Sequence, residues 1–225
     1  MLTPRLNCII NYVNADTAAD IGTDHAYVSI ELIRSGRAGR VIASDVRKGP
    51  LAAAEGHIKK YGLCNKIETR LGSGLSVIEP READTIIIAG MGGELIEDII
   101  RADEKVARAS TLILQPMNSQ YELRKYLINN DFTIEKEDIE CEGHRVYNLL
   151  VVKNGKQEPF ERDIDYHLPV YLYNHEKFGA LLEKKQREFI KIIKGLEKSE
   201  KCDIIKMDYF EKCRMASEDI KNAVG

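Results

Sequence analysis

An open α/β sheet with helices on both faces, closed by an antiparallel hairpin and followed by a helical appendage, is the fold that the sequence predicts. Three observations carry it. Over the first 130 residues, five short apolar runs rich in β-branched side chains alternate with segments of helical period, which gives a parallel sheet covered on both faces. Two extended runs, 132–141 and 145–153, then stand either side of Glu142-Gly143-His144, the spacing of a hairpin. Beyond residue 169 the pattern is helical.

The elements follow in order. Leu6, Ile9, Ile10 and Val13 fall at helical spacing, so residues 5–13 form a short amphipathic helix. Thr17-Ala18-Ala19 leads to Asp20 at the end of a first strand. Asp20-Ile21-Gly22-Thr23-Asp24-His25-Ala26 is then a tight turn into a helix carrying Val28, Ile30, Leu32 and Ile33. Such a strand-turn-helix aims free backbone N–H groups and a positive dipole end at one spot. The second strand, 40–44, ends at Asp45. Gly49-Pro50 opens the next helix and Gly62 stands at its far end. The third strand, 66–71, ends in Gly72-Ser73-Gly74. The fourth and most apolar, 84–89, is followed by Gly90-Met91-Gly92-Gly93 and a helix over 94–101. The fifth, 111–114, ends in Gln115-Pro116, with a helix over 119–130.

Residues 154–169 read as a linker. Beyond them Phe178, Leu182, Lys185, Phe189, Ile192 and Leu196 recur at alternating three- and four-residue steps, a coiled-coil-like seam with one polar member. A second helix is expected over 204–224, antiparallel to the first because the break near 197–201 is short. The expected division is 1–158 for the sheet domain and 159–225 for the helical domain.

Composition narrows the function classes. The chain has 225 residues, 44% hydrophobic and 31% charged, with a formal net charge of −3. That fits a soluble globular protein with no global pull toward nucleic acid, so an RNA partner needs a local basic face. No apolar run reaches membrane-spanning length, and the first residues lack an export signal. The five cysteines (Cys8, Cys64, Cys141, Cys202 and Cys213) are scattered, with no C-x-x-C. Reduced thiols in a cytoplasm, and no metal site, are the expectation.

The chemistry lies at four successive strand ends, where open α/β sheets place their ligands. Asp20 at the first tip would repel a pyrophosphate but suits a sulfonium cation with an amino-acid tail. It can hold the tail's ammonium, directly or through water. Gly22 lets the turn approach closely. Asp45 can accept two ribose hydroxyl bonds. Gly72-Ser73-Gly74 can lie against an adenine edge, and Gly90-Met91-Gly92-Gly93 leaves a backbone wall beside a reactive methyl. Thr23, His25 and Val46 complete the candidate cofactor set. Singly each signal is an ordinary turn or cap; four in order are specific. A nicotinamide dehydrogenase would want Gly-x-Gly-x-x-Gly after the first strand, and has no need of the terminal hairpin, which is the arrangement of class I methyltransferases.

Three motifs carry a resemblance. Asp-Ile-Gly-Thr-Asp-His-Ala-Tyr at 20–27, Ile-Ala-Gly-Met-Gly-Gly at 88–93 and Leu-Ile-Leu-Gln-Pro at 112–116 resemble the bacterial tRNA (adenine-22 N1) methyltransferase family, often called TrmK. The resemblance runs through most of the chain. It implies a class I methyltransferase, Rossmann-like parallel sheet with a terminal antiparallel hairpin plus a C-terminal helical coiled-coil domain, S-adenosyl-L-methionine as donor and tRNA as acceptor. One departure is Ser73, where many relatives are expected to carry Asp. A serine would hold the adenine N6 amine more weakly.

That reaction sets limits. Adenine N1 has an in-plane lone pair and no proton, so no general base is needed. In-line placement roughly 3 Å behind the methyl is. The product base is cationic, and a carboxylate would stabilise the developing charge. Asp24 is the candidate, with a helix N-cap as its second reading. His25 either contacts ligand or packs beside the turn. Tyr27, Gln115, Pro116 and Asn118 are candidates for base contact, against ordinary loop chemistry. The target adenine is expected to leave its stack. For the tRNA backbone, Arg5, Arg34, Arg37, Arg40 and Arg47-Lys48 lie in the N-terminal half, while Lys184, Lys185, Arg187, Lys191, Lys194 and Lys198 crowd one helix of the tail. A solvated face is the alternative for these. A small-molecule methyltransferase and a non-catalytic cofactor-binding protein stand as the other function classes. An intramolecular helix pair leaves no seam for a partner, so a monomer is expected.

Overall fold

Seven strands form one sheet in the order β3-β2-β1-β4-β5-β7-β6, in a computed structural model that describes residues 2–199 and 203–224. Cys202, and part of the expected break between the last two helices, lie outside the described residues. The elements are α1 (Pro4–Asn11), β1 (Ala15–Ile21), α2 (Tyr27–Arg34), β2 (Ala38–Asp45), α3 (Lys48–Lys60), β3 (Ile67–Leu71), β4 (Thr85–Met91), α4 (Gly93–Ala102), α5 (Glu104–Arg108), β5 (Thr111–Pro116), α6 (Gln120–Asn129), β6 (Phe132–Glu142), β7 (Arg145–Asn154), α7 (Phe178–Glu197) and α8 (Ile204–Val224).

The first five strands are parallel. Asp20 of β1 pairs with Ala43 of β2 on one side and Ile87 of β4 on the other. The carboxyl ends of β1, β2 and β4 therefore meet where the strand order reverses. β7 runs antiparallel beside β5, Ile113 opposite Val151, and β6 pairs with β7 along the edge. Successive residues serve opposite faces, as the period of two requires. Ala19, Ile21, Ile86, Ile88, Leu112 and Leu114 face α4, α5 and α6, while Ala18, Val41, Ala43, Ile87 and Ile113 face α1, α2 and α3.

Three sequence expectations change. α5 is a single extra turn, buried through Val106 and Ala107, too short to show a period. Residues 154–169 are not all linker: Ile164, Tyr166 and Leu168 are buried, and Tyr166 joins the sheet's own core. The seam of α7 is rotated: Leu181 and Ile193 are buried, while Ile192 and Leu196 are half-buried.

The tail shares a third core with the hairpin, in which Ile139 of β6 and Val146 of β7 meet Phe178, Phe189, Cys213 and Ile220. Two polar anchors fix it. Arg124 of α6 and Glu137 of β6 pair with both side chains at 0% exposure. Arg124 Nη1 also donates to the Tyr166 carbonyl at 2.7 Å, and Glu137 accepts from Asn148 and Tyr171, each at 2.9 Å. A buried ion pair stands only when its remaining hydrogen-bonding capacity is filled. Asp163 accepts from Tyr121 and Lys125 of α6 and from Tyr209 of α8. His167, stacked 4.3 Å from Tyr121, is pushed down to about 3 by burial, with the Lys185 and Arg124 charges adding to the effect. The tail is thus docked by a neutral imidazole.

Candidate functional site

β1 ends in a turn tied to both neighbours. The Gly22 and Thr23 N–H groups donate to the Ser44 carbonyl of β2, each at 2.8 Å. Asp20 Oδ2 accepts the Thr23 hydroxyl at 2.8 Å and the Ser29 hydroxyl at 2.7 Å, which fastens the strand end to α2. Burial pushes the Asp20 carboxyl up, and these hydroxyls oppose the shift. Gly22 sits at φ +76°, and a Cβ there would stand 2.1 Å from Met91 Cε. The positive φ is what calls for glycine here, since the end of the Met91 side chain could swing aside.

His25 and Ala26 both adopt φ 56°, an unusual pair for non-glycine residues. They carry the chain past Asp24, so that the N-cap position of α2 is Ala26, with no side-chain cap bond. The capping reading of Asp24 is therefore overturned. Its side chain is 81% exposed and lies 3.4 Å from His25 Nε2. The His25 ring stands 5.6 Å from Tyr27 and 5.4 Å from His57, so it packs into an aromatic group beside the turn.

Asp45 ends β2 almost fully buried. Its Oδ1 accepts the Arg47 N–H at 2.7 Å; no hydrogen bond among the described residues engages Oδ2. Gly72 N–H donates to the Asp45 carbonyl, which draws the β3 end alongside. β4 runs on to Met91 through a register shift after Ala89, so Gly90 and Met91 belong to the strand rather than to the loop expected there.

These ends enclose a cleft of about 590 Å³, lined by Asp20, Gly22, Asp24, Tyr27, Asp45, Val46, Gly72, Ser73, Gly74, Gly90, Met91 and, from α1, Arg5. The size suits a small-molecule ligand. Several sequence candidates stand outside the lining. Thr23 acts through Asp20. Gly92 and Gly93 back onto the β5–α6 loop: a Cβ on Gly93 would lie 2.4 Å from the Ser119 carbonyl oxygen, and one on Gly92 would lie 3.0 Å from Asn118 Oδ1. Gln115 and Pro116 are buried and do not line the cleft; Gln115 Oε1 accepts from Arg5 Nη1 at 2.9 Å while its Nε2 donates to the Pro116 carbonyl. Base contact by either is corrected on that ground. Lining residues that sequence reasoning passed over include Ser44, Leu95 and Ile99, and Arg47, expected on the tRNA backbone, lines the cleft as well. Leu95 and Ile99 share a face of α4 at i, i+4, a spacing open to view in the sequence. Ser44 and Arg47 flank Asp45.

The donor set fits an adenosyl sulfonium ligand. A free carboxylate oxygen stands at the second strand tip for a ribose, bare glycines and Ile99 stand at the third for a purine, carboxylates stand at the first, and the Arg5 cation stands beside Gly90 at the fourth. Among the described residues no cluster of three or more His, Cys, Asp or Glu side chains could hold a metal ion.

A sheet of this order, with its cleft at the β1–β4 switch point and acids ending β1 and β2, defines a class I methyltransferase. The family described as "Methyltransferase domain" matches residues 2–150. More narrowly, the chain belongs to the family of tRNA (adenine(22)-N(1))-methyltransferases: it is 36% identical over 159 residues to the Bacillus subtilis (strain 168) protein of that name, covering 70% of this chain and 67% of the relative. The solved structure of the B. subtilis M1A22 tRNA methyltransferase TrmK is similar, at 27% identity and a TM-score of 0.86 over 98% of each chain. So is Streptococcus pneumoniae Sp1610 in complex with S-adenosyl-L-methionine, at 31% identity and a TM-score of 0.84 over 98% of this chain and 99% of that one.

Proposed function

We propose that this chain is an S-adenosyl-L-methionine-dependent methyltransferase that methylates N1 of adenine 22 in tRNA. The observation that carries the reading is the convergence of Asp20, Asp45, Gly72-Ser73-Gly74 and Gly90-Met91 on one cleft. The donor supplies an electrophilic methyl on a positively charged sulfur. The chain supplies placement: Asp45 for the ribose, Ser73 and Gly74 for the adenine edge, Gly22 and Gly90 for close approach. The attacking N1 carries no proton, so none of these side chains acts as a base. Asp24 faces the growing positive charge of the target base, and Tyr27 beside it offers a ring for stacking. Because Asp24 is open to water, its field acts fully only once tRNA covers the mouth of the cleft.

The basic side chains of the tail divide into two groups. Lys184 donates to the Val146 carbonyl, and Lys185 donates to Gln120 and Glu188, so both serve the protein interior. Arg187, Lys191, Lys194 and Lys198 instead line a shallow groove with Ile190 on the outer face of α7. Among the described residues no ion pair engages Lys191, Lys194 or Lys198. This stripe supports a tRNA-bracing role for the tail, because phosphate neutralisation needs unpaired cations. In the N-terminal half, Arg34, Arg37 and Arg40 are held by Glu31, the Asn11 carbonyl and Glu68. The reading includes a methyltransferase domain over 1–158 whose core is completed by Tyr166, a helical coiled-coil domain over 159–225, and a monomer acting in the cytoplasm. No helix among the described residues is long and apolar enough to cross a membrane.

The test is mass-spectrometric mapping of tRNA treated with the protein and labelled donor. One N1-methyladenine at position 22 is expected, strongly reduced with Asp24→Ala. Label on no RNA would refute the reading, and full turnover by the variant would remove Asp24 from it.

A further inference from the structure

We infer that His57 is a positioning residue for the methyl transfer: it holds the His25 backbone in the strained conformation that aims Asp24 at the target base. The inference rests on the methyltransferase reading and on the role given there to Asp24. It assigns a residue of α3 that neither ends a strand nor lines the cleft.

Asp24 has little of its own to aim it. Its side chain is 81% exposed, and among the described residues its one charged neighbour is His25 Nε2 at 3.4 Å. Its direction is therefore set by the backbone that follows, where His25 and Ala26 both take φ 56°. Left-handed residues other than glycine persist only where their surroundings over-determine them. Ala26 is fixed by burial: it is 0% exposed within the core beneath α1, α2 and α3, and its carbonyl accepts the Ile30 N–H at 2.9 Å. His25 has no such support from its own side chain. The ring is half-buried, and its Nδ1 is buried with no partner among the described residues.

The support comes from α3. His57, in the last turn of that helix, places Nδ1 3.0 Å from the His25 carbonyl oxygen. A carbonyl only accepts, so Nδ1 carries the proton and donates. The His57 ring also stacks on the His25 ring, 5.4 Å apart and inclined by 30°, and stands 5.6 Å from the ring of Tyr27. One side chain thus grips the residues on both sides of Ala26. Gly22 and Thr23 are held separately, by the Ser44 carbonyl. The half of the turn that faces the donor is therefore independent of His57, while the half that carries Asp24 depends on it.

Two substitutions separate the hydrogen bond from the ring. His57→Asn keeps an N–H donor near the place of Nδ1 and loses the ring. His57→Phe keeps a ring and loses the donor. Each is assayed for turnover at saturating tRNA and S-adenosyl-L-methionine, and for S-adenosylhomocysteine affinity by calorimetry. His57→Phe is expected to lower kcat by about 10- to 100-fold, the scale of a misplaced group at the reacting atoms, with S-adenosylhomocysteine affinity within about threefold of wild type. His57→Asn restores most of kcat. Added to Asp24→Ala, His57→Phe costs nothing further, because no carboxylate remains to be aimed. Wild-type kcat in His57→Phe overturns the inference. So do equal losses in both variants, which make His57 mere packing, and a full further loss on top of Asp24→Ala. Loss of S-adenosylhomocysteine affinity along with turnover makes His57 scaffold and overturns it too. A wild type that methylates no RNA overturns the methyltransferase reading itself, and full turnover by Asp24→Ala removes Asp24 and this inference together.

Discussion

Asp45→Asn isolates the ribose contact. Asp45 is only 6% exposed at the tip of β2, and its Oδ1 accepts the Arg47 N–H at 2.7 Å. An asparagine has the same shape, and its amide oxygen can keep that bond, so the turn survives. What changes is the second oxygen, which no group among the described residues engages and which becomes an NH2 donor. A ribose diol offers two O–H donors and finds one acceptor fewer, without the negative charge. A hydrogen bond to a charged group contributes about 1.5–3 kcal/mol, so the substitution costs about 2–3 kcal/mol, or roughly 30- to 150-fold in S-adenosylhomocysteine affinity. Calorimetric titration reads the affinity, and thermal unfolding of the same sample reads the fold. An affinity within threefold of wild type would refute the assignment of Asp45 to the ribose.

Other outcomes follow from the same structure. Gly93→Ala should destabilise by about 1–3 kcal/mol, because the added Cβ meets the Ser119 carbonyl oxygen at 2.4 Å and backbone on both sides resists moving; urea unfolding measures it. Arg70 donates to both carboxylate oxygens of Glu82 and holds its pKa at about 2, below the usual 4.5. A pKa lowered by folding gives stability that is complete above the unfolded value and is lost as pH falls from about 4.5 toward about 2. Glu82→Gln should therefore flatten the acid limb of a stability-against-pH curve and leave its neutral plateau lower. Charge reversal of Lys191 and Lys194 to Glu should weaken tRNA binding and reduce its salt dependence, with S-adenosylhomocysteine affinity unchanged. Point substitutions serve better here than removal of the tail, since Ile164, Tyr166 and Leu168 belong to buried cores shared with the sheet.

What the sequence made legible was what repeats locally. The strands β1 to β5 announce themselves by apolar runs, and their glycine- and acid-bearing ends fall in one cleft because parallel topology brings strand ends together. The hairpin announced itself by its turn. Illegible features depend on orientation rather than pattern. The fate of Asp24 turned on two left-handed residues, His25 and Ala26, neither of which advertises that conformation. Gln115 looked free to read a base until Arg5, 110 positions earlier in the chain, was seen to occupy its oxygen. Lys184 and Lys185 were grouped with their neighbours by charge, yet helical rotation turns Lys185 inward, and Lys184, on the same side of α7 as Lys191 but two turns earlier, lies where it reaches the Val146 carbonyl of the hairpin. Residues 154–169 looked like a linker because short turns with scattered apolar side chains carry no period.

The burial of Arg124 has a consequence for how the molecule is made. By residue 154 a growing chain already contains every strand, but Arg124 and Glu137 still lack the Tyr166 carbonyl and the Tyr171 hydroxyl that complete their shell. Until those partners leave the ribosome, α6 holds a guanidinium that must stay wet, and the sheet's last layer cannot close over it. Synthesis halted between residues 154 and 166 should yield a chain with all its strands and no durable native state.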